Sequence, residues 1–150
     1  MATCRIEPFS PEHVQLIPKL RYADWNAFRY LEDWRSAVVE FMATGKSNSL
    51  FVNDQLVIIA NLKVAWNGVG EIWALTSPAA VRYPLAVCKI SKSWLEQTIH
   101  ELGLHRVQSK VIVGFKESHK WTQWLGLAPE LYISQYGPLG EDYIQYARVI

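Results

Sequence analysis

The stretch 71-EIWALTSPAAVRYPLAVCKISKSWLEQTIHELGLHRVQSKVIV-113 decides the fold. It opens on a β run, Glu71 to Thr76, breaks at Ser77-Pro78, and resumes as a long helix from about Pro84 to Leu102. Proline in the first helical position forfeits no hydrogen bond, and Gly103 supplies the left-handed residue on which helices end. Leu85, Cys88, Leu95, Ile99 and Leu102 follow the spacing of one helical face and are expected to point inward. Val107 to Val113 is the next strand. Strand, crossover helix and strand in one sheet make a right-handed unit, so these two strands run parallel.

Upstream, Cys4 to Pro8 alternates as a short strand, and Ser10-Pro11-Glu12 reads as the cap, first residue and first-turn acid of a helix that Pro18 ends or kinks. A second helix is expected from about Asp24 to Gly45, its buried stripe made of Phe28, Leu31, Trp34, Val38, Phe41 and Met42. Three β runs follow: Leu50 to Val52, Leu56 to Trp66, and Glu71 to Thr76. Asn53-Asp54 and Asn67-Gly68 separate them and tolerate the positive φ of tight turns, so the runs form an antiparallel meander. Downstream, Ser118 to Leu125 reads as a short helix capped by Ser118, with Trp121, Trp124 and Leu125 on one face and Gly126 as its stop. Leu131 to Tyr136 and Tyr143 to Ile150 close the chain as a hairpin. The result is an α/β protein with a mixed sheet, in the order β-α-α-β-β-β-α-β-α-β-β, and a single domain over residues 1–150.

Composition narrows the function classes. Lys and Arg number 15 against 14 acids, a net charge of +1 that points to neither nucleic acid nor an anionic membrane. The most apolar run, Leu56 to Trp66, is interrupted by Asn61 and Lys63 and is too short to span a bilayer. Residues 1–7 lack the basic-then-apolar order of a signal peptide, which makes the cytoplasm the expected location. The two cysteines are too few for a disulfide framework, and no Cys/His cluster has zinc spacing. Gly45-Lys46-Ser47 lacks the first glycine of a phosphate loop, since Glu40 stands in its place.

The element order, together with Ser118 and Leu125-Gly126-Leu127 set before a final hairpin, resembles the GNAT superfamily of N-acyltransferases over nearly the whole chain. Within it the chain is most similar to the short, divergent GNAT-like proteins of tailed bacteriophages, some of them virion components. The resemblance implies acetyl-CoA as cofactor and an amine as acceptor. It implies a pantetheine arm gripped by backbone near Leu75 and Thr76, and a pyrophosphate on backbone amides of Arg82-Tyr83-Pro84-Leu85-Ala86-Val87, with Ser118 nearby. Arg82 matches the first position of the family's R/Q-x-x-G-x-G/A loop. Leu85 and Val87 replace its small residues and are expected to crowd a phosphate, and Pro84 offers no N–H. Thr122 stands where many members carry a tyrosine acid.

An ammonium acceptor must lose a proton before it attacks, which calls for a base. Glu71 is the first candidate, because alternation sets it on one strand face with Trp73 and Leu75. His119, in the first turn of the short helix, is the second; His13, His100 and His105 show no partner in sequence. Tyr132, Tyr136, Tyr143 and Tyr146 on the last hairpin offer an alternative acid or an aromatic wall, although cross-strand packing accounts for them as well. Cys88 reads as core. Three functions remain: an acetyl-CoA-dependent N-acyltransferase, a degenerate GNAT-fold component that binds a partner protein in the cytoplasm or virion, and a small-ligand binding module.

Overall fold

A computed structural model describes residues 1–21, 24, 28 and 31–150. Its elements are β1 (Cys4–Pro8), a 3₁₀ helix (Pro11–Leu16), α1 (Trp34–Met42), β2 (Lys46–Val52), β3 (Gln55–Trp66), β4 (Val69–Thr76), a second 3₁₀ helix (Pro78–Arg82), α2 (Pro84–Leu102), β5 (Arg106–Ile112), α3 (Lys116–Trp124), β6 (Ala128–Ile133) and β7 (Tyr143–Val149). The seven strands form one sheet in the order β1-β2-β3-β4-β5-β7-β6. Every neighbouring pair is antiparallel except β4 and β5, the pair joined by the α2 crossover. The mixed α/β architecture expected from the sequence is therefore the one adopted.

The β2-β3-β4 meander turns where its dipeptides demand it, at Asn53 (φ 48°), Asp54 (φ 61°) and Gly68 (φ 83°). A hydrophobic layer lies on each side of the sheet. On one, Val87, Ile90, Trp94, Leu95 and Ile99 of α2 pack on Leu50, Leu62, Ile72 and Val107. On the other, Val14, Ile17, Val38 and Met42 cover Phe51, Ile59 and Leu75.

α2 has the bounds the sequence predicts, ending on Gly103 at φ 59°, and it buries Leu95 and Ile99 as expected, but the rest of its buried stripe differs. Leu85 and Leu102 are 77% and 38% exposed, and Cys88 is only partly buried. The inward stripe instead includes Ser91 and Thr98. Ser91 is accommodated because its hydroxyl donates to the Val87 carbonyl at 2.6 Å, whereas the buried Thr98 hydroxyl has no partner among the described residues.

Other boundaries also move. The expected start of the second helix, from about Asp24, falls partly on residues 25–27 and 29–30, outside the described residues. α1 has its own cap, Asp33, whose carboxylate accepts from Ser36 N at 3.2 Å. Leu31 precedes that cap and is exposed, and Trp34 is half-buried with Arg35 stacked on it at 4.3 Å. The helix at Ser10 is 3₁₀, with His13 Nδ1 accepting from Ser10 N at 3.1 Å. α3 starts two residues before Ser118, after Phe115, so Ser118 lies within the helix and does not cap it. Trp124 is 49% exposed, its indole N–H donating to the Cys88 carbonyl at 3.2 Å. The last turn begins early, because Asp142 holds Gln135 N at 2.9 Å and the Tyr132 hydroxyl.

Arg106 of β5 reaches across β7 to Glu130 of β6, one contact being Nη1 to Oε1 at 2.9 Å. These hydrogen bonds, with one from Gln145, hold the Glu130 carboxyl down to about 2. A carboxyl with a lowered folded-state pKa stabilises the fold above its ordinary pKa, and that contribution is lost as pH falls toward 2. Glu130→Gln should therefore flatten the decline in urea midpoint between pH 5 and pH 2. An identical decline in both proteins would show that the clamp contributes nothing.

Candidate active site

β4 and β5 pair only at Val69–Arg106, Gly70–Val107 and Glu71–Gln108. Beyond Glu71 each strand stays with its other neighbour, β4 with β3 as far as Thr76 and β5 with β7 as far as Ile112. The two therefore diverge, and at the fork Ser109 Oγ donates to the Ile72 carbonyl at 3.3 Å. That carbonyl faces β5, so strand alternation turns the N–H and C=O of Ala74 and Thr76 toward the same open side.

A cleft fills the fork. Its walls are Ile72 to Leu75 of β4 and Ser109 to Ile112 of β5. α3 closes one side with Ser118, Trp121 and Thr122, while Phe28, Phe41 and Met42 close the other. Arg21, Asp24, Leu125 and Tyr143 complete the lining. Phe41 packs edge-on to Phe28 (centroids 6.1 Å apart) and to Trp73 (5.1 Å), giving one wall of interlocked rings.

Asp24 is buried at this wall. Its carboxylate accepts from Arg21 Nε and Nη2, both at 2.9 Å, and from Thr76 N at 3.0 Å. Sequence reasoning missed it, because 52 residues separate it from Thr76 and it reads there only as the start of a helix.

The two catalytic candidates are not brought together in the cleft. Glu71 pairs with Lys110 at 2.7 Å, and of the two only Lys110 lines the cleft. His119 lies outside the lining, bound through Nε2 to the Ile112 carbonyl at 2.9 Å and through Nδ1 to the Tyr146 hydroxyl at 2.7 Å. A carbonyl only accepts, so Nε2 carries a proton, and in neutral His119 Nδ1 accepts from Tyr146. This arrangement ties α3 to β5 and β7. Thr122 donates to the Ser118 carbonyl at 2.7 Å, which commits its hydroxyl within the helix. The Trp121 indole N–H is buried at the cleft without a partner among the described residues.

Of the expected cofactor contacts, Leu75 is in the cleft wall and buried, and Thr76 follows it with its N–H on Asp24. Arg82 is exposed and donates to Gln55 Oε1 at 3.1 Å. Around it the 3₁₀ turn uses its own amides: Ala79 N meets Ser77 Oγ, Ala80 N meets Ser77 O, and Tyr83 N meets Ala80 O. Val87 N donates to the Tyr83 carbonyl, and Pro84 has no N–H, so Leu85 and Ala86 supply the open donors of the α2 start. Val87 turns into the core, which corrects the expectation that it would crowd a phosphate, whereas Leu85 is exposed at the same helix start as these amides. The residues fit the arm of an acyl-CoA better than its phosphates.

Among the described residues no cluster of His, Cys, Asp or Glu could hold a metal ion, and no helix is long and apolar enough to cross a membrane. No protein-family model and no curated protein sequence matches the chain. Solved structures do. A GNAT-family acetyltransferase from Bacillus anthracis superposes with a TM-score of 0.75 at 18% identity, over 97% of this chain and 94% of that one. Ard1 from Thermoplasma volcanium gives 0.78 at 12% identity, over 98% and 97%. RimL, a ribosomal-protein alpha-N-acetyltransferase in complex with coenzyme A, gives 0.72 at 14% identity, over 99% and 94%. At these identities the likeness concerns architecture, and the chain has the fold of the GNAT acetyltransferases.

Proposed function

We propose that the chain is an N-acyltransferase of one domain, moving acetyl from acetyl-CoA to an amine in the fork between β4 and β5. The observation that carries this reading is the fork itself. Two central strands that part after three residue pairs leave unpaired backbone facing a lined cleft, where an amide-bearing arm can take the place of the missing ladder. Acetyl-CoA supplies the activated acyl group when bound. Ala74 offers its N–H and C=O to the arm, and Ser118 and Trp121 wall the side from which it enters. Leu85 and Ala86 offer two amides to the phosphates, and Arg82 turns from Gln55 to add a charge-assisted contact.

Thermal melting with acetyl-CoA tests this directly. At 100 times the dissociation constant a ligand stabilises by about 2.7 kcal/mol, an easily measured rise in Tm. Arg82→Ala should weaken that binding more than about tenfold. It should leave the ligand-free stability within about 0.5 kcal/mol, since Arg82 is exposed. Leu85→Gly should tighten binding by uncovering the amides.

No shift at millimolar acetyl-CoA would favour a second reading, a GNAT-fold protein that has lost its cofactor and binds a partner in the cytoplasm or in a phage virion. Pro84, the solvent-facing Leu85 and the internally bonded Thr122 hydroxyl support that alternative.

A further inference from the structure

The acyl-transfer reading leaves the acceptor open, and the charges of the cleft narrow it. Among the described residues that line the cleft, Arg21, Asp24 and Lys110 are charged, and each already holds a counter-ion. Arg21 grips Asp24 through two bonds of 2.9 Å, and Lys110 meets Glu71 at 2.7 Å. The ring wall is served as well, since Lys63 Nζ lies 3.9 Å from the centre of the Phe41 ring while donating to the Phe41 carbonyl at 2.8 Å.

An ammonium entering this space would give up its water without meeting an unpaired carboxylate, and it would do so beside two cations. An uncharged amine escapes that cost. Its apolar body matches the Phe28, Phe41 and Trp73 edges, and Asp24 has room for one of its N–H groups. A carboxylate has about four lone-pair positions, of which, among the described residues, Arg21 and Thr76 occupy three.

We propose that the acceptor is a weakly basic aromatic amine, uncharged at neutral pH, seated on Phe28, Phe41 and Trp73 with its nitrogen at Asp24. Such an acceptor carries its lone pair into the cleft and needs no base to expose it. This agrees with Glu71, His119 and Thr122 each being committed to another bond. In the reaction the nitrogen bonds to the acyl carbon, the carbon–sulfur bond breaks, and the proton lost by nitrogen goes to the departing sulfur. One amide and one thiol result.

The inference rests on the acyl-transfer reading only for the chemical step, because amine binding is measured separately. Isothermal titration of the wild-type protein with aniline and with benzylamine compares rings of similar size whose amines are uncharged and charged at pH 7. Aniline should bind at least about tenfold more tightly, and with acetyl-CoA present it should release thiol with the larger kcat/KM. Benzylamine binding equally or better, or no binding of aniline up to its solubility, overturns the proposal. If acetyl-CoA leaves the Tm unmoved while aniline binds selectively, the transferase reading fails and the amine site stands.

Discussion

Replacing Trp94 with alanine should lower the stability of the protein by about 3–5 kcal/mol, the range for large aromatic truncations in cores. Trp94 is 4% exposed at the centre of the α2 face, and its indole N–H donates to Asn48 Oδ1 of β2 at 2.9 Å. The substitution opens a cavity between helix and sheet and leaves that acceptor without its donor. Domains of this class are stable by only about 5–15 kcal/mol, so the loss is a large share of the whole. Trp94→Phe separates the two contributions, because it refills most of the volume and forfeits only the hydrogen bond, at about 1–2 kcal/mol. Urea midpoints at constant m-value measure both. A loss below about 1 kcal/mol for alanine would show that α2 does not pack through this residue.

Gly45→Ala should cost about 2–4 kcal/mol, by a different route. Gly45 joins α1 to β2 at φ +77°, where an L side chain is disfavoured by roughly 1–2 kcal/mol. An added Cβ would also stand 2.6 Å from the Leu62 carbonyl oxygen, backbone of a fully buried residue paired with Lys46. Neither strand yields easily. Gly103 provides the control: it too has positive φ, +59°, but a Cβ there meets nothing within 4 Å. Gly103→Ala should therefore show the backbone cost alone, and equal losses at the two positions would refute the clash.

Local signals carried most of the fold. Pro84 and Gly103 bracket α2, and Asn67-Gly68 makes the turn expected of it. The face of α2 was legible at Leu95 and Ile99, whereas Leu85, Cys88 and Leu102 sit off the buried stripe, which takes in Ser91, its hydroxyl bonded backward along the helix. The site was less legible. A diverging strand pair leaves no mark on hydrophobic alternation, so only the backbone grip expected near Leu75 and Thr76, taken from the resemblance, touched the fork. Lys110, which takes the Glu71 carboxylate, lies 39 residues away on a strand delivered by the crossover, and Asp24 reaches Thr76 across 52. Charge pairs at such separations are set by topology, and a linear reading assigns Glu71 a role without seeing its partner.

The brevity of the β4–β5 junction divides the sheet into two plates. β1 to β4 form one and β5, β7 and β6 the other, with ladder pairing between them confined to Val69–Glu71 and Arg106–Gln108 and extended only by the Gly68 carbonyl, which accepts from His105 N and Arg106 N. Within each plate the ladders are long, so each resists bending, whereas the seam between them is held by a few bonds and by the α2 side chains that straddle it. Rotation about the seam widens or narrows the fork without breaking any other ladder. In amide exchange the seam is then the weak line: Gly70 and Gln108 should open on a faster clock than Ile59 or Val111, making the sheet a book whose spine is its least protected part.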